Sequence, residues 1–580
     1  MSVSKANTVQ ARVLSEVLAA GVSHAVVSPG SRNTPILLAL QEHPEIKVHV
    51  VLDERSAGFF ALGLARASGS PVILSCTSGS AGAHYLPAVI EAYHSRVPLI
   101  ILTSNRPHEL HGVGSPQTVS QDQLFVGFLR YYQKLNIPGD GTPEAMIRTV
   151  ASKALFAAQG RPNGPVHIDC PFREPLWDPT EHPNSDRNAA SAIAYTRCQT
   201  EPKKEDLSNT AERLAQVQRG VLVVGPINGC RELNSATHKL ASCLGWPIVA
   251  EPTSSLVSET DGLLITAADA IIRSGAFTGK FSPDLILRVG PIPTSKQVAK
   301  WAASSPCILI DEAGETLDPT HSLMRVIEGS PSKTLESLAA CLTPNNKHSE
   351  WLEFWQTANS TAEVQIDRAC GDGFWEGTIA RSVIKSLPEA AMLHVSSSMP
   401  IRDLYSFGGA RNRDLSIYSS RGANGIDGTI ATALGEAHVH DEVALLMCGD
   451  LAFIHDIGSL ITSKNSATGL IVLVIDNSGG GIFHSLPISQ NKGAFETLFI
   501  THQNVSIRDL CSGLGINNVV VSSSSELDQA LDKAFSSAKI KEELQVIVAK
   551  VSREFSVEKR QNAFSKVRSA LTSGHTGGLQ

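Results

Sequence analysis

Short apolar runs of four to six residues recur along the chain. Each closes on Gly, Ser, Asp or Pro, and stretches of helical character separate them. The first group is AVVSPG (25–30), VHVVLDE (48–54), VILSCTSG (72–79), LIILTSN (99–105) and VHIDCP (166–171). Runs of this length without polar alternation are the pattern of strands covered on both faces, as in a parallel sheet. The Ala-rich stretches 56–67 and 81–94 suit crossover helices. A second group, VLVVGP (221–226), WPIVAE (246–251), LILRVG (285–290) and CILIDE (307–312), predicts a smaller Rossmann-like unit. Its GPINGC (225–230) does not fit GxGxxG, so dinucleotide binding has little support there. The third group is MLHVSSS (392–398), LSIYSS (415–420), VALLMCGD (443–450), LIVLVIDN (470–477) and LQVIVAKV (544–551). Residues 178–209 are polar and rich in Pro, Asn, Asp, Ser and Thr, and read as a linker. The pattern predicts an α/β chain of three parallel-sheet units over 1–180, 205–345 and 370–556, with a C-terminal helix and tail over 557–580.

Composition narrows the function classes. The 580 residues allow three or four domains at about 150 residues each. Apolar residues are 42% and charged residues 18%, which is ordinary globular usage and excludes a disordered or coiled-coil chain. The net charge of −7 argues against nucleic acid or anionic membrane as a partner. No apolar run approaches the ~20 residues of a membrane span, and MSVSKANTVQ has no signal-peptide pattern. The ten cysteines form no CxxC pair, and Cys307 and Cys448 lie inside apolar runs. Buried reduced thiols, and hence a cytoplasmic chain, are the expectation.

In open parallel sheets ligands bind beyond the C-terminal ends of the strands, so chemistry belongs to the residues that close each run. The most informative stretch runs from 444 to 483. One buried strand closes on Gly449-Asp450, a helix crosses over, and the next strand closes on Asp476-Asn477 followed by Ser-Gly-Gly-Gly. A βαβ unit brings Asp450 and Asn477 to one sheet edge, where a carboxylate and an amide oxygen face a common point. Mg²⁺, with Mn²⁺ as the alternative, takes such oxygen ligands and shares them with phosphates. The glycine run lets a carbonyl, that of Gly479, turn toward the ion, and N–H groups nearby can receive phosphate oxygens. A Gly-Asp opening closed by Asn about thirty residues on resembles the thiamine-diphosphate signature, although both pieces also occur as plain turns at strand ends. Gly139-Asp140-Gly141 and Gly371-Asp372-Gly373 look similar but follow no apolar strand and lack the closing Asn.

Thiamine diphosphate requires a carboxylate against its aminopyrimidine ring. Glu54, at the end of VHVVLDE and the start of an Ala/Gly-rich helix, is the candidate. A helix cap is the ordinary role of an acidic residue there.

Longer segments resemble one family. They are SPGSRNTP (28–35), LDERSAGFFALGLA (52–65), TSGSAGAHYLPAVIEA (77–92), LTSNRPHEL (102–110), QTVSQ (117–121), CPFREPL (170–176), SSSMPIRD (396–403), SSRGANGIDGTIATALG (419–435), GDLAFIHD (449–456) and DNSGGGIFHSLP (476–487). They resemble the 2-succinyl-5-enolpyruvyl-6-hydroxy-3-cyclohexene-1-carboxylate synthases of menaquinone or phylloquinone biosynthesis. The resemblance covers most of both outer units and is weak in the central one. It implies a pyrimidine-binding, a central Rossmann-like and a diphosphate-binding domain. It implies a transferase that decarboxylates 2-oxoglutarate and adds the succinyl unit 1,4 to isochorismate. It also implies a homodimer or homotetramer, in which the first domain of one chain faces the last domain of another.

Carried over by position, Ser398, Arg402 and Arg421 resemble the 2-oxoglutarate set, and Ser31, Arg32, Arg106 and Gln117 the isochorismate set. Ile426 resembles the apolar prop under the cofactor, and Phe483 an apolar wall beside it. Lys296 matches a basic position in the central unit. Planar guanidinium forks suit dicarboxylates. Asn105 stands where the family often has Asp, Ser80 where it has Thr, and Gln297 where some members have Arg. His455 and His484 lie near the site without an assigned part. Two other readings fit the motifs: a different thiamine-diphosphate 2-oxoacid decarboxylase or acetolactate-type carboligase, and a non-catalytic paralogue. Four arginines argue against a pyruvate pocket. Retention of Glu54, Asp450 and Asn477 argues against loss of catalysis.

Overall fold

The structure is a computed structural model that describes residues 2–180, 191–198, 201–227, 231–275, 282–343, 350–466, 468–538 and 543–573. Three parallel sheets follow one another along the chain. The first contains β1 (His24–Val27), β2 (Lys47–Val50), β3 (Val72–Cys76), β4 (Leu99–Asn105), β5 (Tyr131–Lys134) and β6 (Val166–Pro171), in the order β2-β1-β3-β4-β6-β5. The second contains β7 (Gly220–Val224), β8 (Ile248–Ala250), β9 (Leu285–Val289), β10 (Cys307–Asp311) and β11 (Leu323–Glu328), in the order β11-β10-β9-β7-β8. The third contains β12 (Met392–Val395), β13 (Ser416–Tyr418), β14 (Ala444–Gly449), β15 (Leu470–Asp476), β16 (Asn517–Val521) and β17 (Leu544–Lys550), in the order β13-β12-β14-β15-β17-β16. The first and third sheets thus share one topology, a doubly wound α/β fold repeated at the two ends of the chain.

The continuous apolar runs are the covered strands: β3, β4, β6, β7, β9 and β10 are buried at every position. Three strands have no such run, β5, β11 and β16. Each sits at a sheet edge, β5 half-buried throughout and β11 and β16 with mixed burial. An edge strand needs only one apolar face, so polar residues break its signal.

The outer units pack directly on each other through the helices Glu54–Ser68 and Thr429–Ala437. Phe59, Phe60, Leu62, Ile430 and Leu434 belong to one buried cluster spanning both. The backbones touch: a Cβ on Gly63 would come within 2.1 Å of the Thr432 carbonyl oxygen, and one on Gly435 within 2.1 Å of the Phe60 carbonyl oxygen. Arg66 closes the same interface with Glu91 at 3.2 Å and Glu436 at 3.1 Å, all three side chains being almost fully buried.

Of the expected linker, 181–190 and 199–200 lie outside the described residues, as do 228–230 of GPINGC and the tail 574–580. The C-terminal helix spans Arg553–Ser573 and packs on the helices Glu350–Cys370 and Ala268–Ser274. Among the described residues no helix is long and apolar enough to cross a membrane. The described cysteines are all unpaired, and six of them are buried.

Candidate active site

The strand order of the third sheet reverses between β12 and β14, which opens a crevice beyond their C-terminal ends. Three strand ends meet there: Ser396-Ser397-Ser398 after β12, Gly449-Asp450 closing β14, and Asp476-Asn477 closing β15. Ser397, Ser398, Gly449, Asp450 and Asn477 line a cavity together with Glu376, Ile426, Gly479 and Phe483. Of the residues expected to hold cofactor or metal, Ile426, Gly449, Asp450, Asn477, Gly479 and Phe483 therefore come together, and Ser398 joins them. Glu54 does not. Among the described residues, every one lining the cavity lies at or beyond Glu376.

Asp450 opens the helix Asp450–His455 and is 6% exposed. Its carboxylate accepts from the N–H of Leu451 at 2.8 Å and of Gly479 at 2.8 Å, so it anchors the glycine loop. Burial pushes Asp450 up to about 7, and the nearby carboxylates of Asp476 and Glu376 add to the rise. Asn477 donates through Nδ2 to Glu376 at 2.6 Å, which fixes its amide orientation. Its Oδ1 is buried without a partner. A buried acceptor left unpaired costs about 1–3 kcal/mol. A carboxylate seeking positive charge beside an orphaned amide oxygen is a donor set for a small hard cation. Gly479 has φ +133°, and a Cβ there would lie 2.3 Å from the Ile500 carbonyl oxygen. Only glycine allows this close approach. Phe483 stacks edge-on against Phe499, with ring centroids 5.5 Å apart.

Ser398 caps the helix Met399–Phe407 at φ +76°, a left-handed conformation that a non-glycine residue adopts under local constraint. Arg402 donates from Nη1 to the Ser398 carbonyl at 2.5 Å. Arg421 reaches Ser397 Oγ at 3.4 Å and keeps a buried Nε without a partner. Burial lowers the pKa of both guanidinium groups, and each feels the carboxylate of Glu251. Glu251 is fully buried at the end of β8 and accepts from the backbone N–H of Thr294 at 2.8 Å. Lys296 lies two residues beyond Thr294, exposed at the start of the helix Lys296–Ala302, and does not line the cavity.

The remaining expected residues cluster on the first sheet, at its own reversal between β1 and β3. Arg32 is 3% exposed; it donates to the Phe172 carbonyl at 2.9 Å and pairs with Glu174 at 2.5 Å. Burial and the nearby Arg106 lower its pKa. Arg106 is half-buried, Ser31 is exposed, and Gln117 is exposed at φ +54° with Nε2 on the Ser78 carbonyl at 3.0 Å. Glu54 is half-buried in the first turn of its helix, which Asp53 caps through the N–H groups of Arg55 and Ser56. Its neighbour Arg55 is tied to the His455 carbonyl at 3.2 Å, at the end of the Asp450–His455 helix away from Asp450. One chain thus presents two half-sets rather than one closed site.

Three carboxylate and guanidinium partners were not legible in the sequence: Glu376, Glu251 and Arg560. Arg560, on the C-terminal helix, bridges Glu376 and Asp403, the latter at 2.8 Å. Their side chains are 4% and 1% exposed. The bridge holds Glu376, which in turn orients Asn477. Arg560→Ala is expected to destabilise the chain by about 3 kcal/mol, since two buried carboxylates lose their counter-charge. It should also weaken cofactor binding; thermal unfolding and a cofactor titration read the two effects. The two similar-looking Gly-Asp-Gly stretches are surface turns, with Asp140 paired to Arg173 at 2.7 Å and Asp372 to Lys559 at 2.6 Å. Asn105 donates to Asp169 at 2.9 Å. An aspartate at that position would set two buried carboxylates against each other.

Comparison with known proteins agrees with this arrangement. Residues 8–124 match the N-terminal TPP binding domain of thiamine pyrophosphate enzymes, 188–395 their middle domain, and 406–547 their C-terminal TPP binding domain. The chain is a thiamine-diphosphate-dependent enzyme, with a cofactor-binding fold at each end. Three relatives are each named 2-succinyl-5-enolpyruvyl-6-hydroxy-3-cyclohexene-1-carboxylate synthase. One from Bacillus velezensis is 40% identical over 85% of this chain and 87% of its own length. One from Geobacillus kaustophilus is 36% identical over 94% and 95%. One from Myxococcus xanthus is 36% identical over 97% of both. The chain belongs to the family of 2-succinyl-5-enolpyruvyl-6-hydroxy-3-cyclohexene-1-carboxylate synthases.

Proposed function

We propose that this transferase decarboxylates 2-oxoglutarate and adds the succinyl unit 1,4 to isochorismate, with Mg²⁺ (or Mn²⁺) holding the cofactor diphosphate, in quinone biosynthesis in the cytoplasm. The observation that supports the reading is the pair of half-buried guanidinium groups, Arg402 and Arg421, hydrogen-bonded to Ser398 and Ser397, two residues that line the cavity together with Asp450 and Asn477. Both guanidinium groups feel the buried Glu251 carboxylate and stand behind the serines at the end of β12, where they can pair with a substrate carboxylate.

The chemistry supplied by bound thiamine diphosphate is a nucleophilic carbon and an electron sink for decarboxylation. Asp450, Asn477 Oδ1 and the Gly479 carbonyl would hold the metal, and the N–H groups of the glycine loop would take the diphosphate. Ile426 and Phe483 are the apolar surfaces that keep water from the cofactor rings. Glu54 would hold a proton at the pyrimidine nitrogen. Arg402, Arg421 and Ser398 orient the carboxylates of 2-oxoglutarate; Ser31, Arg32, Arg106, Gln117 and, more weakly, Lys296 orient those of isochorismate. Because Glu54 does not line the cavity of its own chain, a homodimer or homotetramer that brings it to a neighbour's cavity completes the site.

The direct test is an assay with thiamine diphosphate, Mg²⁺, 2-oxoglutarate and isochorismate that follows isochorismate loss. Decarboxylation of pyruvate in place of 2-oxoglutarate would overturn the substrate assignment in favour of an acetolactate-type enzyme. Within that assay, Arg402→Ala should raise KM for 2-oxoglutarate by about 10–100-fold, as a charge-assisted hydrogen bond contributes about 1.5–3 kcal/mol. KM for isochorismate should change less, and the reverse order would refute the division of the pocket.

A further inference from the structure

Away from the cavity, three histidines converge where the first and third units meet. The parallel register sets His24 of β1 opposite Lys47 of β2. His49 follows two residues later, so all three side chains share one face of the sheet. His438, which ends the helix Thr429–Ala437 of the third unit, faces them from the other side. The rings are half-buried, and one nitrogen from each lies within 4.8 Å of the others. His24 Nδ1 and His49 Nε2 are 3.0 Å apart. Two imidazole nitrogens on one tetrahedral zinc ion, at about 2.0–2.1 Å each, would sit roughly 3.4 Å apart.

The structure assigns to His24, His49 and His438 a binding site for one divalent transition-metal ion of the zinc class, a second metal site distinct from the cofactor's and shared between the first and third units. Two further observations support it. His438 Nδ1 is held by Thr468 Oγ1 at 2.9 Å, which fixes the ring and leaves Nε2 directed at the cluster. His438 also lies at a helix C-terminus, whose partial negative charge favours a cation. Lys47 Nζ rests 2.8 Å from His438 Nε2, on the lone pair a metal would use. Being exposed, Lys47 can swing out to solvent as the ion enters. Imidazole donors select zinc, nickel, cobalt or copper and discriminate against Mg²⁺, so the two metal sites do not compete. A water would complete the coordination.

The test uses the full-length protein saturated with thiamine diphosphate and Mg²⁺, titrated with zinc chloride against a chromophoric chelator. One equivalent per chain is expected, at least tenfold tighter than in His49→Ala or His438→Ala, and Lys47→Ala should tighten it further. Zinc should raise Tm in the parent and leave it unchanged in the two histidine variants. Equal zinc uptake by the parent and both variants would overturn the site. A second measurement needs no variant. Cobalt(II) added to the parent protein should give the strong visible absorption of a four- or five-coordinate ion. A spectrum like that of the hydrated ion would overturn the proposal, whatever the variants do. Neither readout involves turnover, so a failed substrate assignment leaves it unaffected.

Discussion

Glu54→Gln lowers kcat by about 10²–10⁴ while cofactor affinity stays within a few-fold. That is the expected result of removing a proton-holding carboxylate and keeping its shape, since acid–base groups contribute rate factors of this order. The side chain sits half-buried in the first turn of its helix, and Asp53 rather than Glu54 makes the cap. The substitution therefore leaves the helix start intact, and a fall in rate cannot be blamed on a lost cap. Steady-state kinetics and a cofactor titration on one preparation read the two numbers. Full activity in the variant would remove Glu54 from the mechanism and, with it, the need for a neighbouring chain to complete the site.

Asp450→Ala weakens cofactor binding, and adding Mg²⁺ should recover little of the loss. Partners that merely orient a metal ligand are worth about 10–100-fold in metal affinity, so a ligand that also anchors the loop should cost at least that. One Asp450 oxygen receives the Gly479 N–H at 2.8 Å, and on the proposed reading the carboxylate also takes the metal. Removing it frees the loop and leaves the already unpaired Asn477 oxygen as the remaining side-chain donor of the proposed set. The measurement is the apparent Kd for thiamine diphosphate across a Mg²⁺ titration. An affinity equal to that of the parent at every Mg²⁺ concentration would show that the metal is held elsewhere.

The three-sheet α/β architecture was readable because covered parallel strands write themselves as unbroken apolar runs. LIILTSN and VHIDCP coincide with β4 and β6 residue for residue. The edge strands β5, β11 and β16 were not readable, since polar residues on their open face break the run. The cavity was legible for a related reason. Residues that close strands must gather at the sheet's reversal, and Asp450, Asn477 and Ser398 do so. Glu376 and Arg560 belong to helices and reach the site only through tertiary packing. Nothing in the spacing of Trp375-Glu376-Gly377 distinguishes that carboxylate from an ordinary first-turn acid. Glu251 does end a strand, but in the central unit, where the resemblance to the family is weak and no motif drew notice to it.

The backbone contact between the helices Glu54–Ser68 and Thr429–Ala437 bears on how the two outer units can move against each other. Domains that open by shear or hinge do so over a layer of side chains that can change rotamer. At Gly63 and Gly435 no such layer exists, and Arg66 pins the flank with two buried carboxylates. Sliding of one outer unit over the other along this seam would have to displace backbone and break both Arg66 ion pairs together.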